Sequence, residues 1–220
     1  MKSHDRLRTA CALLLVLASA GSVPARADAE EWRNHFDSDA MMRPPAFFDL
    51  VVLGETGSGA DAKWLILVDP NPPSAPNRLV QTNTKRADGS VAAALRRNVA
   101  LQDGSVSTFV KKGPGRAGLV LRLVDAKNYL LLVADTLSGE LVLTSTADGQ
   151  TTELGRGPGT FDRGWEKIGA KLDGASVSVS VNDKQIFDAK DPKPASGRAG
   201  VATAGPGEAS FDELLLRTGD

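Results

Sequence analysis

Cysteine is nearly absent from this sequence: Cys11 is the only one in 220 residues, and there are two histidines, His4 and His35. A disulfide framework and a cysteine-built zinc site are therefore excluded. Aromatic residues make up 5% of the chain (three Trp, one Tyr, seven Phe), too few for an extended base-stacking platform. No charge sign dominates, since 26 Lys and Arg meet 27 Asp and Glu, so a polybasic nucleic-acid-binding face is excluded as well. No apolar run reaches the roughly 20 residues that a membrane-spanning helix needs. What the chain has in quantity is punctuation, with 22 Gly and 12 Pro among short apolar runs.

Residues 1–27 carry the pattern of a secretory signal. Lys2, Arg6 and Arg8 precede a short apolar core from Ala10 to Ala20, and Ala25-Arg26-Ala27 supplies the small residues of a cleavage site. An earlier cut after Ala18-Ser19-Ala20 is the alternative. Cys11 stands at the start of the apolar core instead of after it, which argues against a lipid-attachment cysteine. Cleavage after Ala27 removes Lys2, Asp5, Arg6, Arg8 and Arg26 and takes the formal net charge from −1 to −4. The expectation is a periplasmic or secreted protein whose residues 28–220 form one domain, held by core burial alone.

Along that domain, short apolar runs alternate with turn clusters. Trp64 to Val68 closes on Asp69-Pro70-Asn71-Pro72-Pro73, and Val106 to Lys111 closes on Gly113-Pro114-Gly115. Leu119 to Val124 and Tyr129 to Ala134 flank Asp125-Ala126-Lys127-Asn128, which reads as a hairpin, as does Asp148-Gly149 after Leu141 to Leu143. Ser176 to Val181 alternates Ser and Val with period two, so its three valines share one face of a strand. Ser210 to Leu216 is a last strand. Val91 to Val99 fits a helix or a strand, and Gly155-Arg156-Gly157-Pro158-Gly159 reads as turns. The pattern predicts an all-β fold, a two-sheet antiparallel jelly-roll sandwich. Its middle strands are continuous in apolar residues and thus covered on both sides.

Several stretches, taken in order, resemble a known family. They are Phe36-Asp37, Trp64 to Asp69, Pro76-Asn77, Val80-Gln81, Ala117 to Arg122, Asn128-Tyr129, Trp165, Gly197 to Val201 and Phe211-Asp212. Together they resemble the concanavalin A-like lectin/glucanase superfamily, in particular its laminin-G-like and 3-keto-disaccharide hydrolase-like branch, over roughly residues 32 to 218. The resemblance implies a concave sheet that carries the ligand. It implies no single function, because such sandwiches serve as lectins, glycosidases and adhesion modules. It also implies a structural calcium site, with Asp37 and Asp212 as its side chains, although no calcium-loop motif is present and no other cofactor is implied.

The residues themselves point to binding more than to catalysis. Arg122 interrupts an apolar strand, so its guanidinium must meet a ligand or a structural partner such as Asp125 or Asp135. Asn128 and Tyr129 start the next strand and would stand nearby, and Trp64 offers a face for a sugar ring. A large aromatic in a sandwich is more often core, however, and the resemblance places Trp165 in particular there. No strand carries a Glu-x-Asp-x-Glu run, and Asp37-Ser38-Asp39 lies in a turn-forming segment. His35 stands without a Gly-x-Ser-x-Gly elbow. The reading is an exported, non-catalytic carbohydrate-binding domain with Arg122, Asn128, Tyr129 and Trp64 at the site. The alternatives are a glycoside hydrolase drawing on Asp69, Asp125, Asp135 or Glu140, and a module that binds a protein partner.

Overall fold

The computed structural model describes residues 29–54 and 61–219. The expected signal segment, residues 1–27, lies outside them. Among the described residues there is no helix, and none long and apolar enough to cross a membrane. The strands are β1 (Glu31–Asn34), β2 (Phe48–Leu53), β3 (Trp64–Val68), β4 (Asn77–Gln81), β5 (Val91–Leu101), β6 (Gly104–Lys111), β7 (Arg116–Asp125) and β8 (Asn128–Asp135). They continue as β9 (Glu140–Ala147), β10 (Gln150–Pro158), β11 (Trp165–Asp173), β12 (Ser176–Val181), β13 (Lys184–Lys190), β14 (Gly197–Ala204) and β15 (Ala209–Thr218).

They form two antiparallel sheets. One has the order β13-β12-β11-β6-β15-β4-β3, with β1 also pairing with β15; the other is β10-β9-β8-β7-β14-β5-β2. This is the jelly-roll sandwich that the sequence pattern implied. Val177, Val179 and Val181 all point into the core between the sheets, at 0%, 0% and 4% exposure. Trp64, Leu79, Phe211 and Leu216 join them from the eight-stranded sheet, and Leu119, Leu121, Leu132 and Leu143 meet them from the seven-stranded one.

One open local reading is decided and another is corrected. Val91 to Val99 is strand, not helix. Its paired neighbours on both sides, β2 and β14, supply main-chain hydrogen bonds that outweigh the helix preference of Ala92-Ala93-Ala94. The Gly155 to Gly159 stretch is largely the second half of edge strand β10, not a set of turns. A Cβ at Gly155 would stand 3.0 Å from the Phe187 ring, and one at Gly157 would stand 2.7 Å from Ile186. Glycine is needed there because β13 of the other sheet closes this edge of the sandwich at contact distance.

A second apolar cluster lies on the outward face of the seven-stranded sheet. It contains Leu53, Val91, Ala93, Leu95, Val120, Leu123, Tyr129, Leu131 and Ala202, with Val51 and Val133 packed against it. Strands β7 and β8 are thus apolar on both faces, which is why their sequences run without alternation.

Candidate functional site

The register lays that outward face out in rows. One row runs Val51, Ala93, Ala202, Gly118, Val133, Val142 and Arg156. The next runs Leu95, Gly200, Val120, Leu131, Thr144 and Glu153. At one end Arg116 pairs with Ala204, and Asp135 with Glu140. At the other, Tyr129 pairs with Thr146, whose hydroxyl lies 2.9 Å from that of Thr151.

A groove of about 530 Å³ follows these rows. Its floor is Val91, Leu131, Val133 and Val142, and its rim is Arg116, Asp135, Glu140, Arg156, Thr144, Thr146 and Thr151, with Tyr129 at one end. A smaller hollow of about 220 Å³ adjoins it, sharing Tyr129 and Thr146. The rim charges are largely committed. Arg156 donates to Glu140 at 2.6 Å and to both carboxylate oxygens of Glu153, and those hydrogen bonds hold Glu153 below the usual carboxylate range. Asp135 Oδ1 accepts from the backbone N–H groups of Leu137 (3.0 Å) and Ser138 (3.1 Å), capping the β8–β9 turn.

Of the residues singled out from sequence, Tyr129, Asp135 and Glu140 line this groove, and Arg122, Asn128 and Tyr129 line the smaller hollow. Arg122 does not present its guanidinium to the groove. The residue has φ 49° at an irregularity in β7, which puts Leu123 in the outward cluster and swings Arg122 against turns of the sandwich. There, 3% exposed, it donates to Asp191 Oδ2 (2.7 Å), the Gln102 carbonyl (2.6 and 2.9 Å) and the Gly174 carbonyl (2.7 Å). Its structural partner is Asp191, not Asp125 or Asp135. A cation so enclosed has few donors left for a ligand.

Asn128 borders the smaller hollow, but its amide serves the turn. It donates to Asp125 at 2.9 and 3.1 Å and accepts from the N–H of Asp148 at 3.1 Å. Trp64 is 1% exposed and packs 5.8 Å from the Phe211 ring, so it belongs to the core. Trp165 is half-buried, with the Lys111 ammonium 5.7 Å from its ring centre.

The acids expected to hold calcium are met by hydrogen-bond donors. Asp37 accepts from the N–H of Asn77 (3.1 Å), and Asp212 from the N–H (2.7 Å) and hydroxyl of Ser74 and the N–H of Glu213. Among the described residues no three His, Cys, Asp or Glu side chains gather as a metal site. Burial pushes the Asp212 carboxyl up to about 6 against the lowering effect of the Ser74 donors.

The acids of the hydrolase alternative divide. Asp69 is buried at 4% exposure; burial pushes its carboxyl up, but Lys111, the N–H of Asn71 and Arg78 together hold it below its ordinary value. Asp125 is held low by Asn128 and the N–H of Lys127 in the turn. Asp135 and Glu140 alone of this pool border the groove. His35 is exposed and sits 2.7 Å from Glu213, away from it. Sequence reading missed Arg116, Arg156, Val133, Val142 and the three threonines. The signal that could have found them is the apolar outward register Tyr129, Leu131, Val133, which a merely solvated face would not carry.

Comparison with known proteins places the fold. No family model matches the chain, and no curated protein matches it. Among solved structures, the carbohydrate-binding module CBM66 from Bacillus subtilis superposes with a TM-score of 0.56 at 15% identity, covering 78% of this chain and 97% of that one. A Bacillus subtilis protein of unknown function with a galectin-like fold gives 0.54 at 13% identity, covering 84% and 94%. A prokaryotic β-1,3-1,4-glucanase (lichenase) from a mouse hindgut metagenome gives 0.50 at 10% identity, covering 86% and 99%. The chain has the concanavalin A-like jelly-roll sandwich fold.

Proposed function

We propose that this protein is an exported, lectin-like domain that binds carbohydrate on the outward face of its seven-stranded sheet. The observation that carries the reading is the groove itself: an aliphatic floor and one tyrosine, ringed by threonine hydroxyls and charged groups, on a solvent-facing sheet. Sugars present C–H patches and hydroxyls together, and such a surface meets both. The structural likeness to a carbohydrate-binding module and a glucanase supports the reading, and the N-terminal pattern supports a periplasmic or secreted location. With a single aromatic side chain in the groove, and that one largely buried, affinity is modest.

A glycan array, followed by titration of its hits, tests this. Tyr129→Ala should weaken binding about tenfold but also lower the thermal midpoint, because Tyr129 is a buried member of the outward cluster; Thr144→Ala, at a half-buried position in the groove, should weaken binding with the midpoint little changed. An array without hits would sink the reading.

One observation favours a second reading. Asp135 and Glu140 are paired across β8 and β9 at the end of the groove, which brings together two acids of the kind that glycoside hydrolysis uses. Hydrolysis of 3-keto-glycosides, lost on Glu140→Gln, would make the domain a glycoside hydrolase.

A further inference from the structure

Resting on the carbohydrate reading, we infer that the groove selects an acidic saccharide, one carrying a uronate carboxylate, and that Arg116 is the residue that reads the charge. The groove holds two guanidinium groups in different states. Arg156 is closed off by Glu140 and Glu153. Arg116 is exposed on the rim and, among the described residues, has no carboxylate within 4.0 Å. Asp135, on the same groove rim, spends Oδ1 on the turn it caps.

Arg116 is nonetheless positioned. Its Nε donates to the Ala204 carbonyl at 3.2 Å, and a Cβ on Gly205 would stand 2.5 Å from its Nη2. Gly205 has φ +67°, a left-handed conformation that glycine adopts without strain, so the turn leaves room for the guanidinium. Asp88 approaches the same glycine from solvent, its Oδ1 3.4 Å from that Cβ position, without forming an ion pair with Arg116. The arginine is thus held by main chain, its outer donors open toward a groove with an aliphatic floor. That arrangement suits the planar, two-pronged recognition of a carboxylate, and the apolar floor lowers the screening of the charge.

The test is calorimetric titration at low ionic strength with trisaccharides of galacturonate, mannuronate and glucuronate, each beside its methyl ester, and with a neutral glucan trisaccharide. At least one free acid should bind about tenfold more tightly than its ester. Arg116→Gln should bring that acid to the level of the ester without moving the thermal midpoint, and Arg116→Lys should recover part of the difference. Esters or neutral sugar binding as tightly as the acids would overturn the inference and leave the carbohydrate reading standing. Equal weakening of acid and ester by Arg116→Gln would make Arg116 a wall of the groove and overturn it too. No binding of any saccharide would remove the carbohydrate reading and this inference with it.

Discussion

The outward faces of the two sheets are of opposite kinds. The eight-stranded sheet shows Ser105, Ser107, Gly169, Lys171, Ser178 and Ser180, a shallow polar face with lysine interleaved. On the seven-stranded sheet the outward side chains are apolar: Ala93, Val120 and Leu131 are buried under their neighbours, Val133 and Val142 are half-buried, and the charges are confined to the rim. Both sheets bury the same kind of inner face, so the difference is not required by the core. A sheet that needs one dry side and one wet side is stable with serines outward, as β12 shows. Placing leucine and valine on the second side as well contributes to the fold only through the side chains that cover one another, and leaves a groove that a ligand can dry further.

The comparison can be broken or sharpened by substitution. The largest effect should come from neither face but from the residue first suspected of belonging to one. Arg122→Met strands the carboxylate of Asp191 at 4% exposure and should cost about 3–5 kcal/mol in denaturant unfolding. Had Arg122 pointed into a ligand site, the same change would have left stability nearly untouched. Next comes a matched pair. Val133→Asp puts a charge on the groove floor and should weaken glycan binding about 100-fold, roughly 2.7 kcal/mol, while Ser180→Asp on the other sheet should leave binding unchanged. Equal losses from both would erase the distinction between the faces.

A smaller effect separates the sheets by pH. Asp212, at the irregularity of β15 in the eight-stranded sheet, has a carboxyl raised to about 6 in the folded protein, above its value of 3.8 in an unfolded chain. Between those values the folded state binds more protons than the unfolded one. This contribution to stability is therefore full below about pH 4 and lost as pH rises through about 6, by on the order of 1–2 kcal/mol. Asp212→Asn should flatten that slope in thermal unfolding at pH 4 to 7. Glycan binding, on the other sheet, should stay level over the same range. The smallest effect is on the polar face: Lys171→Gln should stay within about 0.5 kcal/mol of the parent in stability.

Much of the fold was legible because period two is a direct consequence of strand geometry. Trp64 to Val68 and Ser176 to Val181 begin and end as strands where the apolar and alternating patterns do. Strand β10 was not legible, because its glycines answer to Phe187 and Ile186 on a strand about thirty residues away. The site was legible in part: Tyr129, Asp135 and Glu140 line the groove, and Arg122 and Asn128 line the hollow beside it. Arg122 stood out for being charged in an apolar run, but an irregular backbone at that position turns it toward Asp191, whose nearness no local pattern announces. Arg116 and Arg156, ordinary exposed arginines in the sequence, acquire different meanings from their carboxylate neighbours in space.

What the chain determined unaided is therefore the class of architecture and the short supply of catalytic groups, since periodicity and composition act residue by residue. Which face is dry, which arginine is spent on the framework and which is left open to a ligand depend on partners distant in sequence. Only the packing of the two sheets brings those partners within hydrogen-bonding reach, where short-range forces can decide between them.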